Sequence, residues 1–563
     1  MSFNGALQIG RSAIMTSQAA MQVAGNNMAN ASTPGYNRQV ARMSSSLVQA
    51  IGRGNFVGTG VQLERIMRTV DVALQGRARA AVSEENAALI DQRFLNSVES
   101  VRNALGEGNL SDRLGAFFSS FSELANNPAD EALRSVVVQQ SSGLANSIRA
   151  LRNDHVAIRS EIDRSLQTAV RAVDSLLTQV AEINGQISVT EQGGTAGVAN
   201  DLRDRRDTLI AEISQYVPVS VVEQPTGAVD LLVNSVPVVF GAESRGLRME
   251  TLSVDGSIEV SVRVNADGSL LSAQDGQIGA LLRQRDQTVE PAIADLDNLA
   301  SQLIFQVNRI HSQGQGSRGL TTVTGLNAAV DASATLENAG FDFPIRNGSF
   351  ELGVTSVATG LRTTVLVEVD PSTMTLNQLA AAINAAMPAG TGSASVTATG
   401  ALRLDAASGY ELSFANDSSG ALATLGINSL FGGSDAASIA VNEAIAADPR
   451  LLAIGRDHVA GSNKGALEIA ALETTAVDEL GGRSLRAYWS AVTSELGVRT
   501  EAANSRAEST TLVRQSLDAQ IESISGVSVD EESINLLSYQ RQFQAAARFI
   551  STIDETMRAL LAI

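Results

Sequence analysis

The chain has 563 residues, 44% hydrophobic and 18% charged, which is enough apolar material for several cores. Its 41 basic residues stand against 60 acidic ones, and a net charge of −19 leaves no basic stripe of the kind a nucleic-acid reader needs. With no cysteine, disulfide frameworks, zinc ribbons, iron–sulfur sites and cysteine nucleophiles are excluded.

The first thirty residues read as one helix. Phe3, Leu7, Gly10, Ile14, Ser17, Met21, Ala24 and Met28 recur in steps of four and three, a heptad seam in which large residues alternate with small ones. The turn signal Ser32-Thr33-Pro34-Gly35 should stop this helix near Asn30. Residues 76–125 and 130–214 are helical in composition, and 216–275 change to Val-rich alternation that reads as strands. Helix returns from about 276 to 312. From 313 to 455 the chain is rich in Gly, Ser, Thr and Ala, with strands expected around Phe350–Val357, Thr363–Val369 and Ala394–Leu404 and a short helix from Leu376 to Met387. Helix resumes from about 465. Ser528 and Glu531 make a capping-box pattern, with Asp530 and Glu532 favourable in the first turn. Leu536, Tyr539, Phe543, Ala546, Ile550, Ile553, Met557 and Leu560 then keep the three–four rhythm, so both termini read as coiled-coil strands that pair with each other.

The fold class expected is mainly α with β insertions, an α+β multidomain chain. A terminal coiled-coil domain would take 1–75 and 516–563. A helical bundle would take 76–215, 276–312 and 456–515. A β-rich domain would fill 216–275, and an outer β insertion 313–455.

Signals for chemistry are weak. The glycine-rich run from Gly52 to Gly60 has Val57 and Leu63 where a dinucleotide fingerprint needs its third glycine, and the only lysine, Lys464, is far from it. Asp201, Asp204 and Asp207 share one helix face, but Arg203, Arg205 and Arg206 interleave with them, so local ion pairs are expected rather than a cation site. His155, His311 and His458 are too dispersed for a metal-ligand spacing. No catalytic residue, cofactor site or metal site is expected. No run of about twenty apolar residues suits a membrane span. The N-terminus lacks the basic and apolar regions of a secretory signal, which reads as cytoplasmic unless another export route operates.

The stretch Asn26-Asn27-Met28-Ala29-Asn30-Ala31-Ser32-Thr33-Pro34-Gly35-Tyr36-Asn37-Arg38-Gln39 resembles the N-terminal signature of bacterial flagellar rod, hook and hook-associated axial proteins. Phe56 to Val61, Asn200 to Asp207 and Ser525 to Glu532 are similar to stretches in the hook-associated branch of that family. Within the signature, Asn26, Asn27, Asn30, Thr33, Pro34, Gly35 and Tyr36 are the family motif. The resemblance implies a structural protein without cofactors, exported unfolded through the flagellar type III apparatus to the extracellular flagellum. There it would join hook to filament through its terminal helices. Leu7, Ile14, Met21, Met28, Leu536, Tyr539, Phe543, Ile550, Ile553, Met557 and Leu560 would form the assembly seam. Implied partners are further copies in a helical lattice, the hook protein, a second junction protein, and an export chaperone at the C-terminal helix, with no nucleic acid and no membrane insertion. A hook or distal rod subunit is the alternative within the family, and a secreted adhesin with a helical stalk the alternative outside it.

Overall fold

The computed structural model describes residues 3–52, 55–102, 106, 108–192, 198–254, 257–459 and 461–562. In chain order, α1 (Phe3–Ala29) leads into the strands β1 (Gln39–Ser45), β2 (Gln49–Gly52), β3 (Asn55–Val57) and β4 (Val61–Arg68). Four helices follow: α2 (Val72–Arg102), α3 (Leu110–Asn126), α4 (Glu131–Thr190) and α5 (Asn200–Tyr216). The strands β5 (Ser220–Glu223), β6 (Val229–Val233), β7 (Val236–Phe240), β8 (Glu243–Ser244), β9 (Leu247–Val254) and β10 (Ser257–Val264) precede α6 (Gly276–Gln284). A π-helical turn, Arg285–Val289, links α6 to α7 (Glu290–His311). Next come β11 (Thr322–Ala328), β12 (Gly348–Ser356), β13 (Arg362–Val369), α8 (Leu376–Ala386), β14 (Gly392–Val396), β15 (Ala401–Ala406) and β16 (Tyr410–Ala415). The chain ends with α9 (Ala421–Leu425), β17 (Phe431–Gly432), β18 (Ala440–Val441), α10 (Glu443–Ala447), α11 (Lys464–Ala471), α12 (Leu485–Ser525) and α13 (Val529–Leu561). It is an α+β multidomain architecture, as the composition indicates.

Two compact units result: Met1–Arg93 with Ile162–Gln284 and Ala502–Ile563, and Phe94–Glu161 with Arg285–Glu501. The division falls inside α2, α4 and α12, so the bundle expected over 76–215, 276–312 and 456–515 is apportioned between both.

In the first unit, β1 and β4 form an antiparallel arm running from Gln39↔Arg68 to Ser45↔Val61, and β2 pairs with β3 at its tip. The β5–β6–β7–β8 sheet buries Val229, Leu231 and Val233 on alternate positions of β6. Asn184 on α4 pins that sheet: its amide donates to the carbonyls of Val229 and Gly241, both at 2.7 Å, and its oxygen accepts from Val229 N–H at 3.1 Å. β9 and β10 form a separate two-stranded ribbon, tied to α4 by Leu247 N–H, which donates to Asp174 (2.8 Å).

The second unit holds two cores. One gathers Phe117, Phe118 and Phe121 of α3 with Ile148, Leu303, Val307 and Trp489. The other fills the space between the β13–β12–β16 and β11–β15–β14 sheets with Phe350, Leu352, Leu379, Ile383 and Phe414. The expected outer insertion, 313–455, is therefore not one body. Residues from Ala329 to Ile427 carry the second core, whereas Leu430, Phe431, Ile439, Leu452 and Ile454 pack into the helical one. The single strand expected over Ala394–Leu404 is a hairpin of β14 and β15 instead, turned at Gly400, whose φ of 84° suits glycine. The helix expected from 465 to the end breaks at Gly481–Gly482, where both φ values are positive, and again at Gly526, where a Cβ would meet the Glu522 carbonyl.

His311, at the end of α7, ties the two cores together. Its Nδ1–H donates to the Asn428 carbonyl (2.8 Å), its Nε2 accepts from Ala453 N–H (2.9 Å), and the Asn428 amide returns to Gly314 O (3.2 Å). Protonating Nε2 would aim a hydrogen at the Ala453 N–H. Complete burial, together with the Arg134 and Arg456 charges, pushes the imidazole down to about 4. A base whose pKa falls on folding adds stability above its unfolded value near 6.5 and loses it as pH drops through about 4. Acid should therefore take up to about 3 kcal/mol from the parent that His311→Gln, less stable than the parent at neutral pH, does not lose. The gap should narrow steadily between pH 6.5 and 4 in urea titrations, whereas a constant gap would show that the imidazole takes up its proton as readily folded as unfolded, so that burial does not hold it neutral.

Candidate assembly site

The turn after α1 is built by its own side chains. Asn30 donates to the Asn26 carbonyl (3.0 Å), which continues the helical hydrogen bonding past the last turn, and Tyr36 N–H closes on Thr33 O (3.2 Å). Gly35 has φ 78°, and a Cβ there would collide with the Thr208 hydroxyl on α5, so the position needs glycine twice over. Tyr36 then folds back: its hydroxyl donates to Asn27 Oδ1 (2.8 Å) and accepts from the Asn26 amide (3.3 Å). Burial, and then the charges of Asp204, Asp201 and Glu532, push this phenol up to about 12. It is a fixed hydrogen-bond donor at any ordinary pH.

Asn27 is the centre of the site. Fully buried, it donates to Gln39 O (2.8 Å) and to the Glu532 carboxylate (3.1 Å), and accepts from Gln39 N–H (3.0 Å). Glu532, on the first turn of α13, is itself 3% exposed. Its other oxygen accepts from Arg38 Nε at 2.9 Å, and Arg38 also reaches Glu531 at 3.2 Å. The capping box is thus only half formed: Ser528 accepts from Glu531 N–H, but the Glu531 carboxylate turns to Arg38 instead of the cap. Arg38 N–H donates to Ser525 O (2.9 Å), which fixes the elbow between α12 and α13.

The aspartate row on α5 holds the other side of the turn. Asp204 accepts from the Asn37 amide (2.6 Å) and from Arg68 (2.7 Å), Asp207 from Arg68 (2.8 Å), and Asp201 from Gln39 (3.3 Å). Burial lifts the Asp204 carboxyl above its ordinary value, against the pull of Arg68 and Asn37. The local ion pairs expected with Arg203, Arg205 and Arg206 are not what forms. Arg203 pairs with Glu191 and Glu223, and Arg206 donates to the Gly227 carbonyl. Among the described residues no three His, Cys, Asp or Glu side chains stand as a metal-binding group.

α1 and α13 pair antiparallel, with Asn27 beside Glu532, Ser533 reaching the Met28 sulfur, and Gly10 against Ile550. A Cβ on Gly10 would lie 2.5 Å from Ile550 Cγ1, so the helices approach as closely as glycine allows. The α13 seam has the expected register: Ile553 and Ala546 are buried, and Leu536, Tyr539, Phe543, Ile550 and Met557 are half-buried. Leu560, 61% exposed, projects past the first turn of α1. On α1 the small members of the expected seam, Gly10, Ser17 and Ala24, are buried together with Ala20 and Asn27, while its large members Leu7, Ile14, Met21 and Met28 are half-buried at the side. The arm explains which residues are buried, since Ser12 Oγ accepts from Val61 N–H and Asn27 grips β1, drawing that face of α1 inward. In the motif, Asn27 is buried, Asn30 and Tyr36 half-buried, and Asn26, Thr33, Pro34 and Gly35 exposed.

Arg68 and the burial of Glu532 escape the sequence reading. One signal was available, because Glu532 continues the Leu536–Tyr539–Phe543 rhythm backwards and so puts a carboxylate on a core position. Removing Arg38 should leave that carboxylate unpaired at a cost of about 3–5 kcal/mol, whereas deleting both charges should cost far less. Arg38→Leu is thus expected to speed hydrogen exchange in α1 and α13 well beyond the double variant Arg38→Leu/Glu532→Leu. Equal protection in the two variants would mean that the pair contributes nothing.

Residues 95–326 match the family model described as the flagellar hook-associated protein FlgK helical domain. Residues 7–37 match the flagella basal body rod protein model, and 520–563 the flagellar basal body rod FlgEFG protein C-terminal model. Flagellar hook-associated protein 1 of Escherichia coli (strain K12) is 24% identical, with 98% of each chain covered. The protein of that name from Bacillus subtilis (strain 168) is also 24% identical, over 98% of this chain and 96% of its own. The fold is similar to that of the flagellar hook junction protein FlgK from Burkholderia pseudomallei, with a TM-score of 0.50, 16% identity, and coverage of 80% of this chain and all of that one. Relatives spanning nearly its whole length, and rod-type models meeting at its two paired ends, lead to one conclusion: the chain is a homologue, end to end, of proteins named flagellar hook-associated protein 1, and a structural protein of the bacterial flagellum.

Proposed function

We propose that this chain builds the layer between hook and filament, outside the cell, by self-assembly of its paired terminal helices. The observation that carries this reading is the α1–α13 pair, locked at one end by the Glu532 knot while Leu7, Ile14, Met21 and Met28 keep part of their apolar surface in water. A buried large side chain contributes about 1.5–3 kcal/mol, so covering this surface with neighbouring copies favours assembly. The hook protein and a second junction protein are the proposed contacts on the two sides of the layer. The role is mechanical, with no catalytic step and no cofactor. The match to the hook-associated helical domain over 95–326 favours this reading over a hook or distal rod subunit.

Ile550 supplies the test, because it fills the close approach at Gly10. Ile550→Asp puts an unpaired carboxylate into that contact. Cells carrying it should make hooks but release flagellin into the medium. Arg548→Asp, on the exposed face of α13, should change stability by no more than about 0.5 kcal/mol and leave filaments intact. Normal filaments on Ile550→Asp cells would remove the seam from the mechanism, and equal loss with Arg548→Asp would put the register in error.

Before it pairs, the α13 stripe of Leu536, Tyr539, Phe543, Ile550 and Ile553 is an aggregation hazard, and we propose it as the docking surface for an export chaperone. A chain truncated after Ser525 should lose chaperone binding in a pull-down, and undiminished binding would locate the site elsewhere.

A further inference from the structure

Beneath the Thr33–Tyr36 turn lies a cavity of about 920 Å³, walled by Ala78 and Val82 of α2, Ala211 of α5, and Ile521, Ile524 and Val527 at the α12–α13 elbow. That is within the range of clefts that enclose small ligands, roughly 300–1,000 Å³, and leaves room for several side chains. Arg79 belongs to the same wall. Its Nε is buried without a hydrogen-bond partner, and it makes no ion pair among the described residues. Burial lowers its pKa, with only the Asp207 charge opposing, and Asp207 is already committed to Arg68. The other carboxylates on the wall are also engaged, Glu531 with Arg38 and Asp518 with Arg514, except Glu522, which is exposed. A half-buried guanidinium with an unpartnered Nε, beside apolar side chains in a recess of mixed lining, suits a carboxylate delivered next to an apolar group.

The β9–β10 ribbon has that chemistry. It is a two-stranded sheet packed at its base, where Leu247, Val262 and Val264 are buried. Its outer half exposes Leu252 and Ile258, at 44% and 51%, and the register sets Leu252 directly opposite Glu259. Cross-strand partners point to the same face, so an apolar side chain and a carboxylate are presented together. The tip of the β1–β4 arm also exposes apolar groups, Leu47 and Phe56, but the only charge between Met43 and Leu63 is Arg53, which Arg79 would repel.

We propose that this cavity is a socket for the β9–β10 ribbon of a second copy of the chain, with Leu252 against the apolar wall and Glu259 paired with Arg79. The inference rests on the self-assembling reading above. The chain contains no cysteine, so an introduced pair reports without ambiguity. Copies carrying Leu252→Cys and copies carrying Ala211→Cys would be expressed together in cells lacking their own junction protein, and the isolated flagella oxidised. Mixed flagella should yield a disulfide-linked dimer that neither variant forms alone. Adding Arg79→Glu to the Ala211→Cys copy should cut its yield at least tenfold, and Glu259→Arg in the Leu252→Cys copy should restore it. If the protein is present in the flagella but neither the dimer nor the charge-swap rescue is seen, the socket is overturned while the structural reading stands. A dimer formed by Leu47→Cys instead would assign the cavity to the arm and equally overturn the ribbon. Absence of the protein from the flagella would sink both.

Discussion

The carboxylate of Glu532 governs the terminal region. It is buried, and a buried charge is tolerated only when its oxygens are fully engaged. One oxygen takes the Arg38 guanidinium and the other the Asn27 amide, from a residue 505 positions away in the chain. That pairing sets where α13 starts relative to where α1 ends. Because Arg38 also donates its backbone N–H to Ser525 O, the same group orients the elbow into α12. The Asp204–Arg68 pair does the corresponding work on the far side of the turn, bringing α5 and β4 against Asn37. The turn after α1 is thereby clamped by two charge pairs from separate parts of the chain, although no local sequence contains both members of either.

Between these clamps and the free ends, the helices are held by proximity more than by bulk. Gly10, Ser17, Ala20 and Ala24 offer little area, but they let the backbones of α1 and α13 come close enough for many weak contacts. The larger residues of α1 flank that line and keep part of their surface in water. Among the described residues no element covers them fully, so the pair forms while part of its apolar surface stays exposed.

The second unit solves a different problem. Its insertion has a core of its own, yet the chain must leave and re-enter the helical body at one place. His311 manages the crossing because a neutral imidazole offers one donor and one acceptor, and both are used on backbone groups that no strand or helix satisfies. Asn428, held at φ 49°, completes the junction with its amide on Gly314 O. The cost is sensitivity to acid, since a second proton on the ring has nowhere to point.

The sequence alone was sufficient for the mainly helical class, the ends of α1 and α13, the β character of 216–275 and the α13 register, because periodicity and capping are local properties that a helix expresses wherever it is placed. Thr33-Pro34-Gly35-Tyr36 was equally legible as a turn, since Pro and Gly restrict or free the backbone without help from neighbours. Tertiary structure decided the rest. The burial of α1 depended on which face the β1–β4 arm drew inward, and Leu7 or Ala20 could each have served until that contact was known. The partners of Asp204 lay at Asn37 and Arg68 rather than among the arginines beside it, because a helix surface lets side chains reach other elements as easily as their own. The boundary of the insertion was set by which core each apolar residue entered, and burial in one core or another leaves no mark on composition. A charge on a heptad position says that a partner must exist, but only the fold supplied Arg38 and Asn27.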